Sequence, residues 1–298
     1  MPRIAVICTV LNEAETIDEL LKSIVEQELK PQEFIIVDGG SRDGTWDRIL
    51  SWKEKFEKKR IRFKAIREEG ANIARGRNIA IRNTGCELIA SIDGGCVAHR
   101  EWLKELLSKY RPGVVVAGNF KPLAERWQEK IQAVFVRPSA PDNPSSRSVL
   151  FERKAWERVG GYPEHLYTGE DTLFNQKLRE NGYRFVFAEK AVVYWRMRKS
   201  LWKWLKQYYR YGFGDGLALN LNPSTTYGRK LIFLLALFYS SLLLPRYLLP
   251  TYFFLCVLYG LKRSFSLYGL AGGFLLPFRY LSFLIGFHTG LLKRLTSP

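Results

Sequence analysis

The sequence predicts an α/β domain built on a doubly wound, mostly parallel sheet, followed by an amphipathic segment and a membrane-embedded helical tail. Three observations lead there. Strand-like and helix-like segments alternate through the first half, polar residues collect just after the strands, and acidic residues stop at Asp215. The chain has 298 residues, 46 Lys+Arg against 29 Asp+Glu, and a hydrophobic content of 47%. That composition excludes disordered and fibrous classes and leaves room for one or two domains. Its net charge of +17 calls for an anionic partner.

The first strand runs from Arg3 to Thr9. After it, Ile17, Leu20, Leu21, Ile24 and Val25 fall at the i, i+3, i+4, i+7, i+8 spacing of an amphipathic helix. Glu33-Phe-Ile-Ile-Val-Asp38 is an unbroken apolar run, as expected of a strand buried on both faces of a parallel sheet. Gly39-Gly-Ser-Arg-Asp-Gly44 breaks it before a helix starting near Trp46. Ile61 to Ile66 then reads as a third strand, Asn72 to Asn83 as a helix, and Glu87 to Asp93 as a fourth strand. This βαβαβαβ order implies a doubly wound sheet. A Pro/Ser-rich loop from Arg137 to Arg147 precedes Gly160-Gly-Tyr-Pro163 and Thr168-Gly-Glu-Asp171, which heads a further helix through Leu173, Phe174, Lys177 and Leu178.

From Ser200 to Gly212 cations alternate with aromatics at helical spacing, which suits the plane of a membrane interface. The same interleaving can bind single-stranded nucleic acid, but an apolar tail follows at once, so no nucleic-acid partner is expected. The 83 residues from Gly216 to Pro298 hold eight Lys/Arg and no Asp or Glu. Apolar runs at Leu231–Leu244, Tyr247–Leu261 and about Phe265–Leu292 are interrupted by Pro245-Arg246 and by Pro277 and Arg279. A bilayer core of ~30 Å asks for roughly 20 helical residues, so the number of spans stays open between multi-pass and re-entrant. The domain boundaries follow: 1–198 for the α/β domain, 199–228 for the interfacial segment and 229–298 for the tail, with membrane lipids as partners. Cys8, Cys86, Cys96 and Cys256 have no metal-ligand or disulfide spacing. With no signal-like amino end, the α/β domain is expected on the cytoplasmic side of the cell membrane.

Ligands of open α/β sheets bind outside the carboxyl ends of the strands. Asn12 and Glu13, Asp38, and Asp93 all collect there. Each could merely make a turn, and Glu170-Asp171 could merely cap a helix. Taken in order, however, Val10-Leu-Asn-Glu13, Val37-Asp-Gly-Gly-Ser-Arg-Asp-Gly-Thr45, Ile92-Asp-Gly-Gly-Cys96, Gly160-Gly-Tyr-Pro163 and Thr168-Gly-Glu-Asp171 resemble the inverting family 2 glycosyltransferases of GT-A fold. The resemblance covers residues 1 to about 215. It extends to the membrane-embedded, cellulose-synthase-like branch, whose Gln-x-x-Arg-Trp motif is matched by Gln207-Tyr-Tyr-Arg210-Tyr211.

The resemblance implies site residues. Thr9, Leu11, Glu13, Asp38, Arg77, Asp93 and Gly94 would bind the nucleotide sugar, with Asp93 also reaching a divalent cation, Mg2+ or Mn2+. Gly95 stands where the family's Asp-x-Asp motif has its second carboxylate, so the cation would have one protein carboxylate and weak affinity. Asp171, with Glu170, matches the catalytic base that takes the acceptor proton. Gln207, Arg210 and Tyr211 would face the acceptor and the leaving diphosphate. The activity so implied is transfer of a hexose to a polyprenyl- or dolichol-linked saccharide, as in lipid-linked oligosaccharide assembly for N-glycosylation. GDP-mannose is the favoured donor and a UDP-sugar the alternative. A polyprenyl-phosphate sugar synthase is the nearest competing reading, because it shares donor, fold and location. A noncatalytic membrane-bound nucleotide-sugar sensor is a third, motivated by Gly95.

Overall fold

The alternation read from the sequence becomes one eight-stranded sheet. The structure, a computed structural model, describes residues 2–136, 143–218, 226–243 and 245–296. The first six residues of the Pro/Ser-rich loop, and residues 219–225 of the interfacial segment, lie outside the described residues. In chain order the first elements are β1 (Ile4–Val10), α1 (Ile17–Val25), β2 (Glu33–Asp38), α2 (Thr45–Ser51), α3 (Lys53–Lys58), β3 (Arg62–Arg67), α4 (Ile73–Arg82) and β4 (Leu88–Asp93). There follow β5 (Cys96–Ala98), α5 (Trp102–Lys109), β6 (Val114–Leu123), α6 (Trp127–Ala133), β7 (Val149–Glu152), α7 (Arg153–Arg158), α8 (Glu170–Glu180) and β8 (Arg184–Arg196). The remaining helices are α9 (Leu201–Ala218), α10 (Thr226–Leu243), α11 (Pro245–Arg263) and α12 (Leu267–Thr296).

The strand order is β3-β2-β1-β4-β7-β6-β8-β5. β1 pairs in parallel with β2 and β4, and β2 with β3, whereas β7 runs antiparallel to β4 and β6, and β5 antiparallel to β8. The parallel half therefore matches the sequence expectation, and the antiparallel half is added by segments whose strand signal is weaker. Alternation along β1 sends Val6 and Cys8 to one face with α1 and α5, and Ala5 and Ile7 to the other with α4 and α8. A parallel strand buried on both faces reads as continuously apolar, and β2 is buried along its whole length. β3, at the edge, carries Arg62, Lys64 and Arg67 and is only partly covered, and charges of this kind discourage edge pairing.

Two compact units divide the chain: Met1–Pro122 with Arg137–Arg196, and Leu123–Val136 with Met197–Pro298. The sheet belongs to the first. In the second, α6 sits with the tail because its polar ends are satisfied there. Gln132 Nε2 donates to the Arg198 carbonyl (2.6 Å), Gln132 Oε1 accepts from the Arg198 amide (3.0 Å), and Arg263 Nε donates to the Val134 carbonyl (3.1 Å).

Helices α9 and α12 meet backbone to backbone. A Cβ at Gly212 or Gly216 would lie 1.9 or 2.1 Å from the carbonyl oxygens of Phe283 and Phe287, and one at Gly286 or Gly290 would lie 2.0 or 2.1 Å from those of Tyr209 and Phe213. Glycines four apart on both partners allow this approach, the small-residue packing that joins helices where no hydrophobic effect can. The opposite face of α12 exposes Phe274, Phe278, Leu281 and Ile285 at helical spacing. Among the described residues α12 is the one helix long and apolar enough to cross a membrane.

Candidate active site

Parallel register assembles one loaded edge. Thr9 lies opposite Val37 on one side and Asp93 on the other, and Val10 lies opposite Asp38. Three polar strand ends thereby become neighbours. Asp38 is completely buried, and its Oδ1 accepts hydrogen bonds from the Gly40 amide (3.1 Å), the Ser41 amide (2.9 Å) and Ser41 Oγ (2.7 Å). Its Oδ2 has no hydrogen-bond partner, and neither does the buried Oγ1 of Thr9. Leaving a buried polar group unsatisfied costs about 1–3 kcal/mol, so two such atoms at adjacent strand ends mark a place for a ligand's polar groups.

The loops after β1 and β2 hold each other. Asn12 adopts φ 55°, which lets its amide donate to Ser41 Oγ (2.8 Å) while its Oδ1 accepts from the Arg42 amide (3.0 Å). The Glu13 amide donates to Thr45 Oγ1 (2.8 Å), and the Glu13 carboxylate accepts from Thr16 Oγ1 (2.7 Å). Leu11, just before them in the chain, is exposed. Gly94 leaves little room, since a Cβ there would sit 3.2 Å from the Thr9 carbonyl oxygen. Gly95 has φ +71°, and a Cβ there would stand 3.5 Å from Glu13 Oε2. A second aspartate at this position would be strained and would press its charge against Glu13.

At the centre is Arg77, 1% exposed on α4. Its Nη2 donates to Asp93 Oδ1 at 2.5 Å and its Nη1 to Glu170 Oε1 at 2.7 Å, while the guanidinium lies over the Tyr162 ring at 5.3 Å. Burial alone would disfavour its charge, but the two carboxylates outweigh that and raise its pKa further. Glu170 is pulled both ways. Burial and the neighbouring Asp171 charge push it up and Arg77 opposes them, leaving it raised to about 7. Asp171 remains half-buried at the start of α8, where its Oδ1 accepts from the Thr172 amide (2.9 Å).

Two residues of this edge were not picked out from the sequence. Arg147 packs its guanidinium over Trp195 (4.1 Å) and Phe120 (4.9 Å), and its Nε stands 3.8 Å from Asp93 Oδ2. Asn78 uses its whole side-chain amide. Its Nδ2 donates to the Tyr162 carbonyl and Glu164 Oε1, both at 2.8 Å, and its Oδ1 accepts from Trp156 Nε1 (2.8 Å) and the Tyr162 amide (2.9 Å). It thus pins the Gly160-Gly-Tyr-Pro163 turn to α4 and holds the Tyr162 ring against Arg77. Arg147 has no local signal, since its neighbours are remote in sequence; Asn78 could have been suspected as an amide on the core face of a helix.

Thr9, Glu13, Arg77, Asp93, Gly94, Glu170 and Asp171 thus belong to the first unit, with Asp38 beside them. Gln207, Arg210 and Tyr211 belong to the second, on α9, where Gln207 Nε2 donates to the Tyr211 hydroxyl (2.5 Å), Arg198 Nε donates to Gln207 Oε1 (3.4 Å) and Arg210 is exposed. Among the described residues no three His, Cys, Asp or Glu side chains form a metal cluster. Asp93 is the candidate oxygen ligand, and its Oδ2 is the less engaged of the two oxygens. A single carboxylate fits Mg2+ or Mn2+ when phosphate and water supply the other positions.

A parallel half-sheet ending in these carboxylates, extended by antiparallel strands, is the GT-A fold of nucleotide-sugar transferases. The model of glycosyl transferase family 2 matches residues 5–178, and that of glycosyl transferase family group 2 matches residues 124–286. The chain belongs to glycosyl transferase family 2 and is a glycosyltransferase. It is 27% identical over 227 residues to glycosyltransferase AglE of Haloferax volcanii, an alignment covering 72% of this chain and 73% of AglE. Some curated relatives are longer: the matched region spans 31% of glycosyltransferase GlyA of Streptococcus pneumoniae. Among solved structures, mannosyltransferase PcManGT from Pyrobaculum calidifontis, in complex with GDP-Man and Mn2+, superposes with a TM-score of 0.61 at 22% identity, covering 99% of this chain and 87% of that one. TarS 1-349 of S. aureus, in complex with UDP, has a TM-score of 0.55 at 17% identity, covering 98% of this chain and 90% of that one.

Proposed function

We propose that the protein transfers a hexose from a nucleotide sugar, with inversion, to a lipid-linked saccharide at a membrane surface. The buried Arg77 clamp carries the reading, because it ties Asp93 to the Glu170-Asp171 pair, reaching Glu170 across 93 residues of sequence. Glu170 is spent on Arg77, which leaves Asp171 as the base. Asp171 takes the proton of the acceptor hydroxyl as that oxygen attacks the anomeric carbon and the bond to the nucleoside diphosphate breaks. Asp38 Oδ2 and Thr9 Oγ1 accept and donate hydrogen bonds to the nucleoside, with Leu11, Glu13 and Gly94 shaping the wall beside it. Arg77 has both Nη atoms committed to carboxylates and acts as a positioning residue, and Arg147, beside Asp93, is the cation that faces the diphosphate. Asp93 would hold Mg2+ or Mn2+, which supplies neutralisation of the departing diphosphate when bound.

The donor preference for GDP-mannose, with UDP-sugars second, is supported by the two solved neighbours, PcManGT in complex with GDP-Man and TarS 1-349 in complex with UDP. Membrane residence is supported by the exposed apolar stripe of α12, its glycine contacts with α9, and the lack of acidic residues after Asp215. Gln207, Arg210 and Tyr211 remain the acceptor-side proposal, an aromatic face and a cation on an amphipathic helix. Replacing Asp171 by Asn keeps its size and its hydrogen bond from Thr172, so donor affinity should stay near wild type while transfer to a hydroxyl acceptor falls at least about a hundredfold. A lipid phosphate acceptor is already ionised. Undiminished transfer to that acceptor would replace this reading with a polyprenyl-phosphate sugar synthase, and parallel loss of donor binding would remove Asp171 as the base.

A further inference from the structure

The tail buries a cation that no acid answers. Arg279, the thirteenth residue of α12, is 7% exposed. Its Nε has no hydrogen-bond partner, and its Nη1 makes one long contact, to the Tyr208 hydroxyl at 3.4 Å. Among the described residues no carboxylate pairs with it, and the sequence holds none beyond Asp215. Rings surround it instead: Tyr208 at 4.7 Å, Tyr280 at 4.9 Å, Phe135 at 5.4 Å and Trp204 at 5.7 Å.

Aromatic faces stabilise a guanidinium through the negative potential of their rings. They act on the face of its plane and leave the N–H donors around the edge unanswered. Taking such a charge out of water costs several kcal/mol, and an ionisable residue on an apolar span is a functional site by default. The edge of a guanidinium takes a phosphate or carboxylate through two parallel hydrogen bonds. Trp204, Tyr208 and Tyr280 also set the depth, because Trp and Tyr gather at the level of lipid headgroups. A carboxylate would have to come from outside a tail that has none, whereas phosphates lie at that level.

We propose that Arg279 binds the phosphate of the lipid-linked acceptor, holding its headgroup within the ring of Phe135, Trp204, Tyr208 and Tyr280. This rests on the lipid-linked acceptor of the proposed function. Phospholipid headgroups carry the same chemistry, and the test separates the two.

The full chain in detergent is titrated with farnesyl phosphate, farnesol and phosphatidylglycerol, and separately with donor nucleotide to report folding. Farnesyl phosphate should bind at least about tenfold more tightly than farnesol, since a hydrogen bond to a charged group contributes about 1.5–3 kcal/mol. Arg279→Gln should erase that difference while leaving nucleotide affinity unchanged. Arg279→Lys, which keeps the charge, should retain part of it, and serves alone if the Gln variant fails to bind nucleotide. Equal binding of farnesyl phosphate and farnesol by wild type, or unchanged phosphate preference in Arg279→Gln and Arg279→Lys alike, overturns the site. Displacement of farnesyl phosphate by phosphatidylglycerol at equal concentration overturns the acceptor assignment in favour of a general lipid anchor. Wild-type protein that binds farnesyl phosphate through Arg279 but transfers sugar to no lipid-linked acceptor sinks the proposed function and leaves the phosphate site standing.

Discussion

Replacing Arg77 by Met removes the cation between Asp93 and Glu170 and keeps an unbranched side chain in its space. The guanidinium is almost fully buried and touches both carboxylates at hydrogen-bond distance. Breaking a buried pair from one side costs about 3–5 kcal/mol, because the remaining charge is stranded. For a unit the size of Met1–Pro122 with Arg137–Arg196, that lowers the melting temperature by roughly 6–20 °C. Glu170 makes the loss depend on pH. Its carboxyl is already raised to about 7, and removing Arg77 takes away the one nearby charge that lowers it. A group whose folded pKa exceeds its unfolded value of about 4.3 contributes stability at low pH that is lost as pH rises through the folded pKa. Wild type therefore stops losing this contribution just above pH 7. The variant goes on losing up to about 1.4 kcal/mol per pH unit beyond it, and the gap between them narrows towards acid. Thermal unfolding of both proteins at pH 5.5, 7.0 and 8.5 measures this, with Arg77→Met/Glu170→Gln expected to recover stability and flatten the profile. A gap that is constant across pH, or a double variant no more stable than the single one, would refute the clamp.

Other consequences can be measured separately. Arg147→Leu should weaken nucleoside diphosphate binding about tenfold or more, the loss of one charge-assisted contact, with nucleoside binding unchanged; equal loss for both ligands would make Arg147 a packing residue. Mn2+ should bind weakly alone and at least about tenfold more tightly with GDP or UDP present, because one carboxylate leaves most coordination to the diphosphate. Calorimetric titration showing no such coupling, or full activity in chelator, removes the cation. Gly286→Val drives a side chain into the Tyr209 carbonyl and should cost about 3 kcal/mol or more, beyond ordinary overpacking, whereas Leu281→Val on the exposed face should change the melting temperature little.

Much of this molecule follows from local pattern. Apolar runs and turn residues locate β1, β2 and β4, because a strand covered on both faces must be apolar throughout and must stop where the chain turns. Asp38 and Asp93 were legible for the same reason, since parallel strands that begin together end together. The helix from Asn72 was readable too, and the structure makes Asn72 its cap, with Oδ1 accepting from the Arg75 amide at the start of α4. Asp215 as the last acid marked a change of composition, and the one described helix long and apolar enough to cross a membrane lies after it.

Packing decided the rest. Glu170 and Asp171 are adjacent in sequence, yet one is buried on Arg77 and the other is half-exposed, a division set by which side of the first turn of α8 faces the core. Arg147 draws its neighbours from β4, β6 and β8, and Asn78 from the turn around Tyr162, so neither has a signature within its own segment. Leu123–Val136 joins the helical tail because Gln132 and Val134 find their hydrogen bonds there. Arg279 looks in the sequence like an interruption of an apolar run, and only the packing of Phe135, Trp204, Tyr208 and Tyr280 around it makes it a buried cation. Periodicity reports which way a side chain faces along its own element; what it meets there depends on residues dozens to hundreds of positions away, and so on the tertiary structure alone.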